Sequence, residues 1–221
     1  MLFDLRSRGR RRTVQGVYLG LALLMGGGLV LFGVGAGNGL GGLLNAFNGS
    51  GSGSNQGAVA DQQVVAAQKT VKANPNDPQA WATMVQARWT AAGQGSNYDA
   101  STSTFTASGR QQLSGATQAW ERYLKLTKNP DPNLAVLAAR AYGVLGNYAG
   151  EAGAWQVETA ASPNAAKGYE CLAVSAYAAK NNRLGDLATA KALSLIPKAR
   201  RSLLKSQINT AKTQPAVARQ C

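Results

Sequence analysis

Residues 132–163, which read PNLAVLAARAYGVLGNYAGEAGAWQVETAASP, carry the clearest indication of the fold class. Alanine is abundant here, β-branched residues are scarce, and the dipeptide Gly146-Asn147 interrupts the stretch midway. These features predict two helices, over 132–145 and 149–161, joined by a tight turn. Because the connection is so short, the two helices are expected to be antiparallel neighbours.

The same punctuation continues on both sides of this stretch. Pro130, Pro163 and Pro197 recur at nearly equal intervals, and each closes a pair of predicted helices. Helices are predicted over the ranges 58–73, 78–92, 109–127, 132–145, 149–161, 164–180, 184–195 and 198–213. No strand pattern appears, and residues 93–108 form a loop between the second and third helices. The sequence therefore predicts an all-α domain over 58–213.

The interval between these prolines is about 34 residues, and a helix-turn-helix unit of that length resembles the tetratricopeptide repeat (TPR). Residues 132–163 carry the family's aromatic, turn-glycine, aromatic, aromatic and closing-proline positions at Tyr142, Gly146, Tyr148, Trp155 and Pro163. The next unit matches at Tyr169, Leu172, Ala173, Ala192, Leu193 and Pro197, although Lys180-Asn181-Asn182 replaces the turn glycine. An earlier, interrupted unit matches at Pro78, Trp81, Met84, Ala116, Trp120, Tyr123 and Pro130. The resemblance covers residues 74–197.

This resemblance implies a TPR-like α-solenoid of about three helix pairs with capping helices at its ends. In such a solenoid, small residues let paired helices cross closely and aromatic side chains fill the gaps between pairs. The tryptophans and tyrosines of the repeats are therefore expected to be packing residues, not a cofactor site.

The resemblance also implies a peptide-binding groove lined by the first helix of each pair. Carried over in register, the groove positions are Gln79, Ala82, Gln86, Trp89, Asn133, Val136, Arg140, Val144, Lys167, Glu170, Val174 and Tyr177. Arg140 and Lys167 are expected to hold a carboxylate, and Trp89 and Tyr177 to supply apolar anchors. The alternative is a solvated face with incidental charge.

The N-terminal region predicts a membrane anchor. Residues 14–34, VQGVYLGLALLMGGGLVLFGV, carry no charge and reach the roughly 20 residues that a helix needs to cross a bilayer. Five arginines lie within residues 1–12, opposed only by Asp4, which orients the helix with its N-terminus in the cytoplasm. We therefore expect a basic cytoplasmic segment over 1–12 and a transmembrane helix over 13–35. A cleavable signal peptide and a buried core helix are the alternatives.

The flanking segments predict how the anchor is used. Gly16 and Gly20 form a GxxxG pair, which lets a second membrane helix approach closely. Residues 36–57 are rich in Gly, Asn and Ser and predict a flexible linker with a root-mean-square reach of about 25 Å. Residues 214–221 are predicted to be a disordered tail.

Composition excludes several classes of function. The chain contains no histidine, which removes the usual general base and the commonest nitrogen ligand for metals. Its two cysteines, Cys171 and Cys221, form no metal-ligand set, so no metal or cofactor is expected. Cys171 is interpreted as a buried filler, and Cys221 as a residue that can link two chains.

The net charge of +13 comes largely from the two ends of the chain. Because the sequence carries no nucleic-acid-binding motif, nucleic acid is not an expected partner.

These features favour a scaffold and not an enzyme: a single-pass protein of the cell membrane whose helical domain binds other proteins on the extracytoplasmic side. The expected partners are membrane or exported proteins and membrane lipid, and a homo-oligomer is compatible with the GxxxG pair. The architecture resembles ancillary TPR subunits of the bacterial Sec translocon, and residues 3–28 resemble small membrane proteins of high-GC Gram-positive bacteria. Two alternatives stay open: a passive subunit that assembles through its membrane helix, and a histidine-independent enzyme with residues 93–108 folded over its site.

Overall fold

The computed structural model describes residues 56–221, and this part of the chain is mainly helical. Its eight α-helices are α1 (Gln56–Ala73), α2 (Pro78–Ala92), α3 (Ala107–Leu126), α4 (Pro132–Leu145), α5 (Tyr148–Ala161), α6 (Ala166–Ala178), α7 (Asn182–Leu195) and α8 (Arg201–Thr213). The predicted all-α class is confirmed, and no helix end differs from its predicted position by more than three residues.

Asp-Pro pairs start the first helices of two successive helix pairs. Asp77 and Asp131 precede α2 and α4, and each side chain accepts a hydrogen bond at 2.9 Å from the backbone N–H two residues later. A proline follows each aspartate at the first helical position, where its missing N–H costs nothing. Thr106 caps α3 in a similar way, accepting from the N–H of Gly109.

The turn between α4 and α5 has the same geometry as the turn between α6 and α7. Gly146 ends α4 with φ of 76°, and Lys180 follows α6 with φ of 60°. In each turn the next residue, Asn147 or Asn181, donates its N–H to a carbonyl five residues back, at 2.9 and 2.8 Å. Lys180 therefore adopts the same left-handed conformation as the glycine that it replaces, at the cost that a Cβ imposes there.

A second feature repeats on the far side of each turn, where a glycine lies against a tyrosine ring. A Cβ at Gly150 or at Gly185 would lie 2.7 Å from the ring of Tyr142 or Tyr177, respectively. Each ring therefore rests on the backbone of the following helix, which brings the two helices of the pair into close contact. Glycine is needed at these two positions because a side chain would collide with the tyrosine ring, and not because of the backbone conformation, since neither glycine has a positive φ.

Each helix packs on the next along the chain, and α2 also contacts α4. The core that results is rich in alanine, with large side chains at intervals; Trp120 and Trp155 are 1% and 4% exposed. The expectation that the aromatic residues of the repeats pack inside the domain is confirmed for these two and for Tyr123 and Tyr142. Burial, with a smaller contribution from the hydrogen bond to Glu121, raises the pKa of the Tyr142 hydroxyl.

The prediction that the chain contains no strand was wrong for the insertion at 93–108. A 3-10 turn at Gly95–Asn97 leads into a hairpin in which β1 (Tyr98–Asp99) pairs antiparallel with β2 (Thr104–Phe105). Asp99 accepts hydrogen bonds from Ser101 inside the loop, and these bonds lower the pKa of its carboxyl group. Two-residue strands are too short to produce an alternating pattern that the sequence would reveal.

The prediction of a disordered tail over 214–221 was also wrong. Residues Pro215–Gln220 form a 3-10 helix, and Cys221 is disulfide-bonded to Cys171 of α6, with 5.6 Å between the two Cα atoms. Within this chain the two cysteines thus pair with each other, which corrects both earlier interpretations: a filler at 171 and an intermolecular link at 221.

The predicted basic segment, the transmembrane helix with Gly16 and Gly20, and all but the end of the linker lie outside the described residues. Within 56–221, none of the helices combines the length and the apolar character needed to span a bilayer.

Candidate functional site

The C-terminal segment, defined here as residues 215–221, lies across the first helices of two successive pairs. Its 3-10 helix contacts α4, α6 and α8. Cys221 is bonded to Cys171 on α6, and the Nε of Arg140 on α4 donates a hydrogen bond to the Cys221 carbonyl oxygen at 3.3 Å. Ala218, in the middle of the segment, is 1% exposed. The segment therefore occupies the surface to which the TPR resemblance assigns peptide binding.

A small cavity remains beside this segment. Its volume is about 150 Å³, and its walls are Lys167, Glu170 and Val174 of α6, Leu204, Gln207 and Ile208 of α8, and Cys221. The three α6 residues are predicted groove positions, so the structure does bring them together. Lys167 Nζ lies 3.9 Å from Glu170 Oε2, so these two wall residues form a weak ion pair. Val174, Leu204 and Ile208 form the apolar part of the wall.

The two predicted aromatic anchors are covered by other parts of the chain. Tyr177 is 6% exposed, its hydroxyl donates to Asp186 Oδ1 at 2.5 Å, and Lys212 Nζ of α8 lies 4.4 Å from its ring centroid. Trp89 is half-buried beside Phe105 of the hairpin, with 6.5 Å between their ring centroids. Tyr177 is therefore buried, and Trp89 is partly covered by the hairpin.

The remaining predicted positions divide between surface and core. Gln79, Gln86, Asn133 and Arg140 are exposed, whereas Ala82 is buried and Val136 and Val144 are partly buried against the core. Of the two cations predicted to bind a ligand, Arg140 and Lys167, only Arg140 donates a hydrogen bond to a main-chain oxygen among the described residues. The four exposed polar side chains are thus divided between α2 and α4, two on each helix.

Sequence reasoning missed Leu204, Gln207, Ile208 and Cys221 as parts of this region, because α8 was interpreted only as a cap. Leu204 and Ile208 are 5% and 2% exposed and are separated by one helical turn. One signal was present in the sequence: the chain has only two cysteines, and the second follows a short apolar stretch at 215–218.

A buried carboxyl group on α5 was also missed. Glu151 is 1% exposed, and among the described residues its Oε2 has no hydrogen-bond partner. Burial raises the pKa of Glu151 to about 8, and the indole of Trp155 one turn later opposes this rise only in part. Oε2 lies 3.1 Å from where a Cβ at Gly143 would be, so the carboxyl group fills the space that this glycine leaves on α4.

A second carboxyl group on α5, that of Glu158, is partly buried, and burial raises its pKa as well. Its side chain occupies the space left by Gly168 on α6. Glu151 and Glu158 line none of the cavities described here, and we interpret both as packing groups.

A positively charged cavity lies at the other end of the domain, between α1, α2 and α3. Its volume is about 340 Å³, and its walls include Lys72, Trp81 and Arg88 but no acidic side chain of the described residues. Arg88 is half-buried, donates to Gln112 Oε1 at 2.9 Å and has its pKa lowered by burial. It fits there because Gly115 has no side chain: a Cβ would lie 2.6 Å from Arg88 Nη1.

No protein-family model matches this chain, and no curated protein and no solved structure matches it. Its function is therefore inferred from its residues and their geometry.

Proposed function

We propose that this protein is a membrane-anchored, TPR-like scaffold that binds other proteins or peptides at the extracytoplasmic face of the membrane. The observation that carries the proposal is the position of the C-terminal segment across α4 and α6. This surface holds seven residues of its own chain by a disulfide, a buried small side chain and a main-chain hydrogen bond, and the last two are contacts of the kind that peptide recognition uses.

The repeated turns support the TPR-like part of this proposal. Gly146 and Lys180 lie one repeat period apart and share both φ sign and hydrogen-bond pattern, in agreement with the spacing of the prolines in the sequence. The glycine-to-tyrosine contacts at Gly150 and Gly185 recur at nearly the same interval. A repeat architecture of this kind provides an extended surface from the first helix of each pair.

The charge and cysteine chemistry support the extracytoplasmic location. Five arginines precede the apolar run at 14–34, which favours a cytoplasmic N-terminus. The disulfide between Cys171 and Cys221 is of a kind that persists in oxidising compartments and is rare in the cytoplasm. Both features favour the same side of the membrane for the helical domain.

The experiment is photo-crosslinking in native membranes from a probe at the exposed position Asn133 of α4. We compare the intact protein with Arg140→Glu, with Gly16→Leu, and with Arg110→Glu as a charge-reversal control on the exposed surface of α3. Loss of crosslinks with Arg140→Glu, but not with Arg110→Glu, supports binding at the groove. If only Gly16→Leu abolishes them, the protein assembles through its membrane helix and the groove proposal is wrong.

A further inference from the structure

We propose that the C-terminal segment is a redox-controlled latch on the groove, and that it gives way to a partner peptide of the same chemistry: a short 3-10 helical segment with an alanine-sized side chain three residues before a main-chain oxygen that accepts from Arg140. This inference rests on the proposed function, since it names the ligand and the control of the same groove.

The first step is that the segment occupies the groove as a ligand would. Ala218 places a small side chain in a fully buried position, and the Cys221 carbonyl accepts a hydrogen bond from Arg140. Main-chain hydrogen bonds provide affinity in peptide grooves, whereas pockets for individual side chains provide selectivity. The segment thus shows which chemistry this surface accepts.

The second step is that the disulfide ties the segment to the groove. Cys221 is bonded to Cys171 of α6, so the end of the segment is held beside its site. Ordering the segment costs conformational entropy, and the covalent bond reduces the part of this cost that the non-covalent contacts must offset. Breaking the disulfide therefore lowers the occupancy of the site by the segment and leaves the contacts that the site offers unchanged.

The third step is that the disulfide can be reached from one side only. Cys171 is fully buried, whereas Cys221 is partly exposed and lines the 150 Å³ cavity. A dithiol reductant therefore attacks the sulfur of Cys221, and the Cys171 sulfur leaves as a thiolate and takes up a proton. The second thiol of the reductant then attacks the mixed disulfide, which releases Cys221 as a thiol and oxidises the reductant to its own disulfide.

Release of the segment exposes a surface of defined character. Arg140 loses its carbonyl acceptor, the apolar floor at Val174 and Ile208 opens, and Lys167 with Glu170 stays at the rim. The site left by Ala218 accepts a methyl-sized group and excludes a large ring, because the interior around it is close-packed.

The probe for the test is a fluorescent peptide of residues 213–221 with serine in place of the cysteine. Its binding to the purified full-length protein is measured by anisotropy for the oxidised protein, for the protein reduced with dithiothreitol and alkylated, and for the Cys221→Ser variant. The disulfide holds the segment at a higher effective concentration than the roughly millimolar value of the flexible tether that remains after reduction, so we expect binding of the peptide to rise more than about tenfold in the two open forms. A peptide with tryptophan at the Ala218 position should not bind.

Equal binding of the peptide to oxidised and reduced protein would overturn the latch, as would equal binding of the tryptophan peptide. Hydrogen exchange supplies a second readout that does not depend on the peptide. Reduction should leave the amides of 216–221 unprotected, while those of α6 stay protected apart from the overall loss of stability expected when a disulfide is removed. Complete loss of protection in α6 would mean that the disulfide holds the fold and not the segment, which also overturns the latch.

Failure of the latch is distinguishable from failure of the proposed function. If crosslinks from Asn133 depend on Arg140 but are the same with and without Cys221→Ser, the groove binds its partner and the latch is wrong. If the peptide binds only the open forms but no crosslink in membranes depends on Arg140, the latch stands and the groove has no protein partner in those membranes.

Discussion

Raising the pH from about 4.5 to 8 is expected to destabilise the helical domain through Glu151. Burial raises the pKa of this carboxyl group to about 8 in the folded protein, against an ordinary value of 4.5. Between these two values the folded state keeps a proton that the unfolded chain releases, so the free energy of unfolding falls by about 1.4 kcal/mol per pH unit. The loss amounts to about 3 kcal/mol at pH 7 and about 4 kcal/mol at pH 8, where the folded group itself begins to ionise.

The assay is urea unfolding of the full-length protein in detergent, followed by tryptophan fluorescence at pH 4.5, 6, 7 and 8. All four tryptophans lie within the helical domain, so their fluorescence reports on its unfolding. Glu151→Gln keeps the shape of the side chain but cannot ionise. This variant should lose most of the decline with pH and should be more stable than the wild type at pH 8.

Asp61→Asn is the matched control, because it removes an exposed carboxylate from α1. It should decline with pH as steeply as the wild type. Burial also raises the pKa of Glu158, so a weaker decline of the same sign should remain in the Glu151→Gln variant. Identical pH profiles for wild type and Glu151→Gln would refute the reasoning.

Three further predictions concern stability and use the same unfolding assay. Gly109→Ala should destabilise the domain by about 1–3 kcal/mol, because the added Cβ would collide with the backbone of Asn97. Gly153→Ala is the matched control: its Cβ meets open space, so this change should stabilise α5 by about 0.5–1 kcal/mol. Lys180→Gly should stabilise the domain by about 1 kcal/mol, since it relieves a left-handed conformation at φ of 60°; no gain would indicate an unstrained turn. Cys221→Ser should cost about 2–4 kcal/mol, because the disulfide closes a loop of 50 residues.

The helices were predictable because their limits are set by local chemistry. Asp77-Pro78 and Asp131-Pro132 mark helix starts in the sequence as they do in the structure. The sequence shows that a lysine, Lys180, stands where the repeat expects the turn glycine, but it does not show whether the turn keeps its geometry. It does keep it, because a lysine can adopt the left-handed conformation if the flanking helices pack well enough to offset the strain.

The buried carboxyl group of Glu151 was hidden because α5 has alanine or glycine on every side. The stretch YAGEAGAWQVETAA shows little contrast between an apolar and a polar face, so the sequence does not reveal which residues point inward. Its burial depends on Gly143 in another helix, a contact that only the tertiary structure reveals.

The repeat spacing led us to predict groove positions on α6, but the covering of those positions by the C-terminal segment was not predictable. The segment at 215–221 has too little apolar surface to predict packing by itself. Its position depends on a bond between residues 50 positions apart and on α8, which covers Tyr177 and forms one wall of the cavity. The insertion at 93–108 likewise covers a predicted groove position, because its Phe105 lies beside Trp89 of α2.

The most direct test of the central claim, a scaffold held at the outer face of the membrane, is protease accessibility in intact protoplasts with a tag before residue 1 and another after residue 221. We expect added protease to cut in the linker at 36–57 and release the folded helical domain, while the N-terminal tag stays protected and membrane-bound. A domain that becomes accessible only after lysis, or a mature chain that has lost residues 1–35 and is free in the medium, would contradict the account.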